Sequence, residues 1–157
     1  MLYPHPDTII LQRTDAADPD FRALVQQLDA GLAELNGEAQ EFYGQYNGLD
    51  AIRFVLLARR GGAAVGCGAI KEWVPGAMEV KRMFVHPAAR RQGIAAGVLA
   101  GLEAWAHELG YESTVLETGT NNPEAVALYQ RAGYEVIPNY GQYEGVAGSI
   151  CFRKQLA

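Results

Sequence analysis

The apolar positions of this chain change period along its length, and its elements can be read from them in order. Thr8–Arg13 reads as a first strand. Asp18-Pro19 then supplies an N-cap residue with proline at the first helical position. Phe21, Leu24, Val25, Leu28, Leu32 and Leu35 recur at helical spacing as one stripe, closed by Asn36-Gly37. Residues 38–50 are less regular and predict a short second helix and a loop. Arg53–Arg59 and Ala63–Trp73 predict a hairpin turning around Arg60-Gly61-Gly62, and Ala77–Val85 a further strand after Pro75-Gly76. Ile94, Val98, Leu99, Leu102, Trp105, Ala106 and Leu109 make a strong helical stripe that stops at Gly110. Thr114–Glu117 is a short strand, and Asn122-Pro123 opens a helix carrying Ala125, Leu128 and Tyr129 that ends at Gly133. Tyr134–Ile137 and Ser149–Lys154 complete the pattern as strands, separated by a turn-rich loop. The order β-α-α-β-β-β-α-β-α-β-β predicts one mixed α/β domain over residues 1–157.

Composition narrows the function classes. With 157 residues, 49% of them hydrophobic and 20% charged, the chain suits one soluble domain with a sizeable core. No apolar run approaches the roughly 18–20 residues that span a membrane, and MLYPHPDTII shows no secretory pattern; no membrane partner is expected. A net charge of −5 disfavours nonspecific nucleic-acid binding, which needs basic surface. Cys67 and Cys151 lie in strand-like apolar runs with neither metal spacing nor a disulfide framework, so buried thiols in a reducing cytoplasm are expected. His5, His86 and His107 are spread apart, and no metal site is expected.

One junction asks for more than a turn. His86-Pro-Ala-Ala-Arg-Arg-Gln-Gly-Ile-Ala-Ala-Gly97 joins a strand to a helix through two arginines, a glutamine and several tiny residues. The first turn of a helix leaves backbone N–H groups without partners, and with the helix dipole these form an anion site if side chains do not block it. Gly93, Ala95, Ala96 and Gly97 are small enough to allow that approach, and Arg90 and Arg91 add charge that phosphate favours. A tight packing junction between helix and sheet accounts for the same small residues. The pattern is neither a Walker loop nor the Gly-x-Gly-x-x-Gly dinucleotide fingerprint.

Arg90-Arg91-Gln92-Gly93-Ile94-Ala95 resembles the Gln/Arg-x-x-Gly-x-Gly/Ala signature of the GNAT family of acetyl-coenzyme A-dependent N-acetyltransferases, and it lies between a strand and an amphipathic helix as that family requires. Asn122-Pro-Glu-Ala125-Val-Ala-Leu128-Tyr129, followed by Gly133-Tyr134, resembles the family's second block. The resemblance implies a mixed, mostly antiparallel sheet flanked by helices, with two central strands splayed apart. It implies acetyl-coenzyme A (acetyl-CoA) as cosubstrate, no metal, and a small-molecule or peptide amine as acceptor; it also allows a homodimer. It further implies that the backbone of Gln92 through Gly97, including Ile94, cradles the pyrophosphate, with Arg90 and Arg91 beside it. The pantetheine arm would pair with the backbone of Phe84 and Val85, and Asn122 would bond the arm or cap its helix.

Acyl transfer to an amine needs a deprotonated nucleophile and a protonated leaving thiolate. Tyr129 stands at the family's position for the general acid; a buried helix face would also place a tyrosine there. Glu79 and Glu117 are the candidate bases, beside a water relay. Period-two alternation puts Glu79 on one face with Lys81, which fits a solvated ion pair, and Glu117 with Val115, a more buried setting able to raise a carboxyl pKa. Tyr43, Tyr46, Tyr140 and Tyr143, with Glu38, Glu41 and Glu144, could line the acceptor pocket and hold a cationic amine, or could be loop packing. An acyl-cysteine route is disfavoured because neither cysteine has a histidine nearby in sequence. A non-catalytic acyl-CoA sensor is the competing function.

Overall fold

The computed structural model describes residues 7–37 and 52–157, so the helix and loop expected over 38–50 lie outside the described residues. The described strands are β1 (Ile9–Thr14), β2 (Phe54–Arg60), β3 (Ala63–Val74), β4 (Ala77–Val85), β5 (Ser113–Gly119), β6 (Glu135–Ile137) and β7 (Ser149–Gln155). The described α-helices are α1 (Pro19–Asn36), α2 (Ile94–Glu108) and α3 (Pro123–Arg131). The strands form one sheet in the order β1-β2-β3-β4-β5-β7-β6. All neighbours are antiparallel except β4 and β5, which run parallel.

Alternation along the strands sorts side chains between two faces. Val55, Leu57, Cys67 and Ala69 pack against Phe21, Leu24 and Val25 of α1. Leu56, Ala58, Ile70, Met78 and Val80 pack on the other face against Ile94, Val98, Leu99 and Leu102 of α2, in a core shared with Tyr129 of α3. A smaller cluster, Val115, Tyr140, Tyr143 and Cys151, fills the α1 side of the β5–β7 half. Each helix starts where the sequence signals it. Asp18 caps α1 by accepting from the N–H groups of Asp20 at 2.8 Å and Phe21 at 3.2 Å. Asn122 caps α3 through the Ala125 N–H at 3.2 Å.

Two irregularities of β4 shape the site. In its pairing with β3, Cys67 faces Phe84 and Ala69 faces Lys81, so Arg82 and Met83 together oppose Gly68 in a β-bulge. Arg82 takes φ +60° to make it. The pairing of β4 with β5 covers three residues, Ala77–Glu79 against Ser113–Val115. Beyond Glu79 the two strands part.

Candidate functional site

The gap between β4 and β5 has a backbone consequence. The His86 N–H donates to the Val65 carbonyl at 2.8 Å, so antiparallel alternation turns Phe84 toward β3 and Val85 toward the gap. The Phe84 carbonyl accordingly stands 3.2 Å from where a β-carbon on Gly66 would sit. At the bulge, the Cys67 thiol donates to the Arg82 carbonyl at 3.4 Å. A planar trans peptide then points the next N–H, that of Met83, away from β3. Met83 and Val85 therefore present backbone to the gap, whereas Phe84 presents its ring. The Met83 amide was missed by the sequence reading, because a bulge leaves no mark in apolar periodicity.

The junction 86–97 folds as a short 3-10 turn, Pro87–Ala89, capped by His86 Nδ1, which accepts from the Ala88 N–H at 3.2 Å. Arg90 donates from Nε to the Val85 carbonyl at 2.9 Å, and its guanidinium lies 5.5 Å from the Phe84 ring centroid. Arg91 and Gly93 both take left-handed backbone, at φ +64° and +79°. Gly93 stands at the N-cap of α2 and offers no side-chain cap. The first intrahelical bond runs from the Gly97 N–H to the Gly93 carbonyl at 3.0 Å. The N–H groups of Ile94, Ala95 and Ala96 are thus the ones left for an anion, and Gly97 contributes open space, since a β-carbon there would meet nothing within 4 Å. Gln92 accepts a hydrogen bond from Arg60 at the end of β2, bringing a third arginine to the loop. A long-range contact between two exposed side chains has no signal in a single sequence. Among the described residues, the non-glycine positions with positive φ are Arg82 and Arg91, and both border this region.

On the α1 side, the gap opens into a cleft of about 160 Å³ lined by Leu28, Leu32 and Leu35 of α1 and by Glu79, Lys81, Glu117, Asn122, Tyr129 and Tyr143. A second hollow continues it past the same leucines to Phe84 and Arg90. The two hollows share Leu28, Leu32, Leu35 and Asn122, and together they run from Arg90, in the loop before α2, to the carboxylates.

Glu79 and Lys81 do pair, at 3.9 Å, but the pair is buried rather than solvated, with side-chain exposures of 4% and 9%. The bulky Tyr140 is the reason: it covers Glu79 and donates its hydroxyl to Oε2 at 2.7 Å. Glu117 is the less buried of the two carboxylates, the reverse of the sequence expectation. Burial still raises its pKa; the hydrogen bond from Ser149 Oγ, at 2.6 Å, and the charge of Lys81 oppose that shift. Burial lowers the pKa of Lys81, against the pull of Glu79.

Tyr129 is 7% exposed, lines the cleft, and holds its ring 5.9 Å from Tyr134 and 6.0 Å from Phe152. Burial, reinforced by the charge of Glu117, raises its hydroxyl pKa, so it stays protonated at neutral pH. Of the late tyrosines, Tyr143 lines the cleft. Tyr140 is packed against Trp73 at 4.5 Å and Tyr143 at 5.8 Å, its face taken by other rings. Glu144 is exposed and outside the cleft. Glu38, Glu41, Tyr43, Tyr46 and His5 lie outside the described residues. Both cysteines are fully buried, and burial pushes the Cys67 thiol up to about 12, unsuited to nucleophilic attack. Among the described residues no group of three or more His, Cys, Asp or Glu could hold a metal ion, and no helix is long and apolar enough to cross a membrane.

Comparison with known proteins gives this arrangement its family. Residues 18–134 match the model of the acetyltransferase (GNAT) family. A protein of Azospirillum brasilense named IAA acetyltransferase is 43% identical over 106 residues, 67% of this chain and 69% of its own length. The crystal structure of a candidate acyl-CoA N-acyltransferase from Klebsiella pneumoniae superposes with a TM-score of 0.76 at 32% identity, covering 94% of this chain and 99% of that one. A GNAT family acetyltransferase from Elizabethkingia anophelis, solved with acetyl-CoA bound, shares the fold at 21% identity, with a TM-score of 0.69 over 96% of this chain and 99% of that one. Motif, sheet and comparison agree: the chain belongs to the GNAT family of acetyltransferases.

Proposed function

We propose that the protein moves an acetyl group from acetyl-CoA to a primary amine by direct attack in a ternary complex. The observation that carries this reading is the pair of adjoining hollows that run from Arg90, in the loop before the uncapped N-terminus of α2, to the carboxylates and Tyr129. The residues present fit the donor. The N–H groups of Ile94, Ala95 and Ala96 suit a pyrophosphate, with Arg90, Arg91 and Arg60 supplying charge and Gly93 and Gly97 leaving room. Val85 and Met83 offer backbone to the pantetheine amides, while Leu28 and Leu32 cover the arm. Asn122 keeps its side-chain amide N–H groups for the same arm while its carbonyl oxygen caps α3.

The donor supplies an activated acyl carbon. The Met83 N–H lies on the gap side, where it can stabilise charge developing on the thioester oxygen. Glu117 takes a proton from the acceptor's ammonium group, directly or through water, which frees the amine to attack, and its raised pKa suits that task. As the new carbon–nitrogen bond forms and the carbon–sulfur bond breaks, Tyr129 donates its proton to the departing thiolate and recovers one from the nitrogen, directly or through water, leaving a neutral amide and a free thiol. Glu79, held by Tyr140 and Lys81, keeps the cleft's charge fixed around the acceptor.

The test is a calorimetric titration with acetyl-CoA, with ATP as control anion, followed by a time course of thiol release with a panel of amines. Saturable binding of acetyl-CoA and amine-dependent release are expected. Binding without release for any amine would reduce the protein to an acyl-CoA-binding module.

A further inference from the structure

The charges of the acceptor cleft are balanced in a way that a simple amine would not require. Glu79 and Glu117 face it, and so do Lys81 and Arg82. Regular alternation would send Arg82 to the opposite face of the sheet from Lys81, into the apolar core under α2. The bulge prevents this. With φ +60° at Arg82, two consecutive cations reach the α1 side, where Arg82 pairs with Asp29 of α1. That backbone geometry is unfavourable for a residue with a side chain, so a structure that keeps it marks a place to look for function.

The guanidinium is also underused. The Arg82 side chain is 2% exposed, whereas its partner Asp29 is 47% exposed and accepts from one terminal nitrogen. Among the described residues its Nε is buried without a hydrogen-bond partner. A desolvated guanidinium with donor capacity to spare is what a planar anion recognises. A diamine or polyamine would instead bring a second positive charge against Lys81 and Arg82.

We infer that the acceptor carries a carboxylate as well as its amine: the amine meets the Glu117 side of the cleft, and the carboxylate meets the cationic side built by Lys81 and the bulged Arg82. This rests on the acetyl-transfer reading above and names the substrate class for the same site. The bulge thereby has two roles on one peptide, turning the Met83 N–H toward the thioester and the Arg82 side chain toward the acceptor.

The experiment compares, at saturating acetyl-CoA, the common amino acids with their primary amides, the corresponding plain amines, a diamine and a short peptide amide. One amino acid or more should be acetylated with kcat/KM above that of its amide by about 10-fold or more, the effect expected from losing a charged hydrogen bond. In Arg82→Gln, the KM for that amino acid should rise toward the amide's, narrowing the preference. Lys81→Met gives a second reading of the same preference, and the comparison on the parent protein stands if either variant fails to fold. Acetylation of amides, plain amines or the peptide as readily as the amino acids would overturn the inference and leave amine acetylation intact. Thiol release with no member of the panel, despite acetyl-CoA binding, would overturn the small-amine reading itself and this inference with it.

Discussion

The hydroxyl of Tyr140 donates to the carboxylate of Glu79 across 61 residues of sequence, at 2.7 Å and almost out of reach of solvent. Burial and the neighbouring Glu79 charge raise the pKa of that hydroxyl, keeping it a donor. Tyr140→Phe removes the donor and leaves a buried carboxylate oxygen unpaired. A loss of about 1–3 kcal/mol in stability is expected, the cost of stranding a buried charged acceptor. Denaturant unfolding of Tyr140→Phe, Glu79→Gln and the double variant measures it. Simple additivity of the two single effects would show that the bond contributes no coupling.

Tyr129→Phe should lower kcat by roughly 100-fold or more, the usual range for loss of a general acid. Affinity for acetyl-CoA should barely move, because the ring and its contacts with Tyr134 and Phe152 remain. Single-turnover rates beside calorimetric affinities separate the two; equal turnover in variant and parent removes Tyr129 from the chemistry.

The acid limb of the kcat/KM profile should belong to Glu117. Burial raises its pKa, so the base becomes active as pH climbs through a value above that of an ordinary glutamate, about 4.3. Glu117→Gln should flatten that limb. Stability carries the opposite sign. A folded pKa above the unfolded one means that the native state binds the extra proton, so stability falls as pH rises between the two values. Glu117→Gln should remove that slope as well, which pH-dependent thermal unfolding would reveal.

Gly93→Asp isolates the phosphate cradle. Aspartate tolerates left-handed backbone better than most residues and is a favoured N-cap, so α2 should still form. Its carboxylate would then occupy the N–H groups of the first turn and repel the donor. Calorimetry should show acetyl-CoA binding lost in a folded protein; unchanged affinity would mean that residues 86–97 are a packing junction.

Gly68→Ala tests the bulge from the opposite strand. A β-carbon there would stand 2.6 Å from Met83 Sδ and 2.8 Å from Leu102 Cδ1, in a packed core. Overpacking should cost about 1–3 kcal/mol. Because Met83 must shift, acetyl-CoA affinity should fall too, whereas Tm alone would move if the bulge had no part in binding the donor.

What the sequence disclosed, and what it withheld, follows from the range of each interaction. Elements with local signals were readable almost to the residue: Ala77–Val85 between its turn and the loop, and the two helices opened by Asp18-Pro19 and Asn122-Pro123. The loop proposed to hold the phosphates could be picked out as a candidate because small residues and positive charge are adjacent in sequence. The burial of Glu79 was not, because it depends on Tyr140 arriving from the far side of the sheet. The same holds for Arg60 meeting Gln92 and for Arg82 meeting Asp29. Alternation also assumes an unbroken strand, so the bulge reversed the facing of Arg82 without any change in composition that could announce it.

The three-residue join between β4 and β5 divides the sheet into halves of four and three strands. Past that join, the Met83 and Val85 backbone faces no strand among the described residues, so a ligand lying in the gap would take the place of one. Amide protons there should exchange quickly with deuterium in the free protein and slowly in the acetyl-CoA complex. A ligand held by the native state alone raises the free energy of unfolding in proportion to the logarithm of its concentration. The stability of this protein should therefore rise with the concentration of acetyl-CoA.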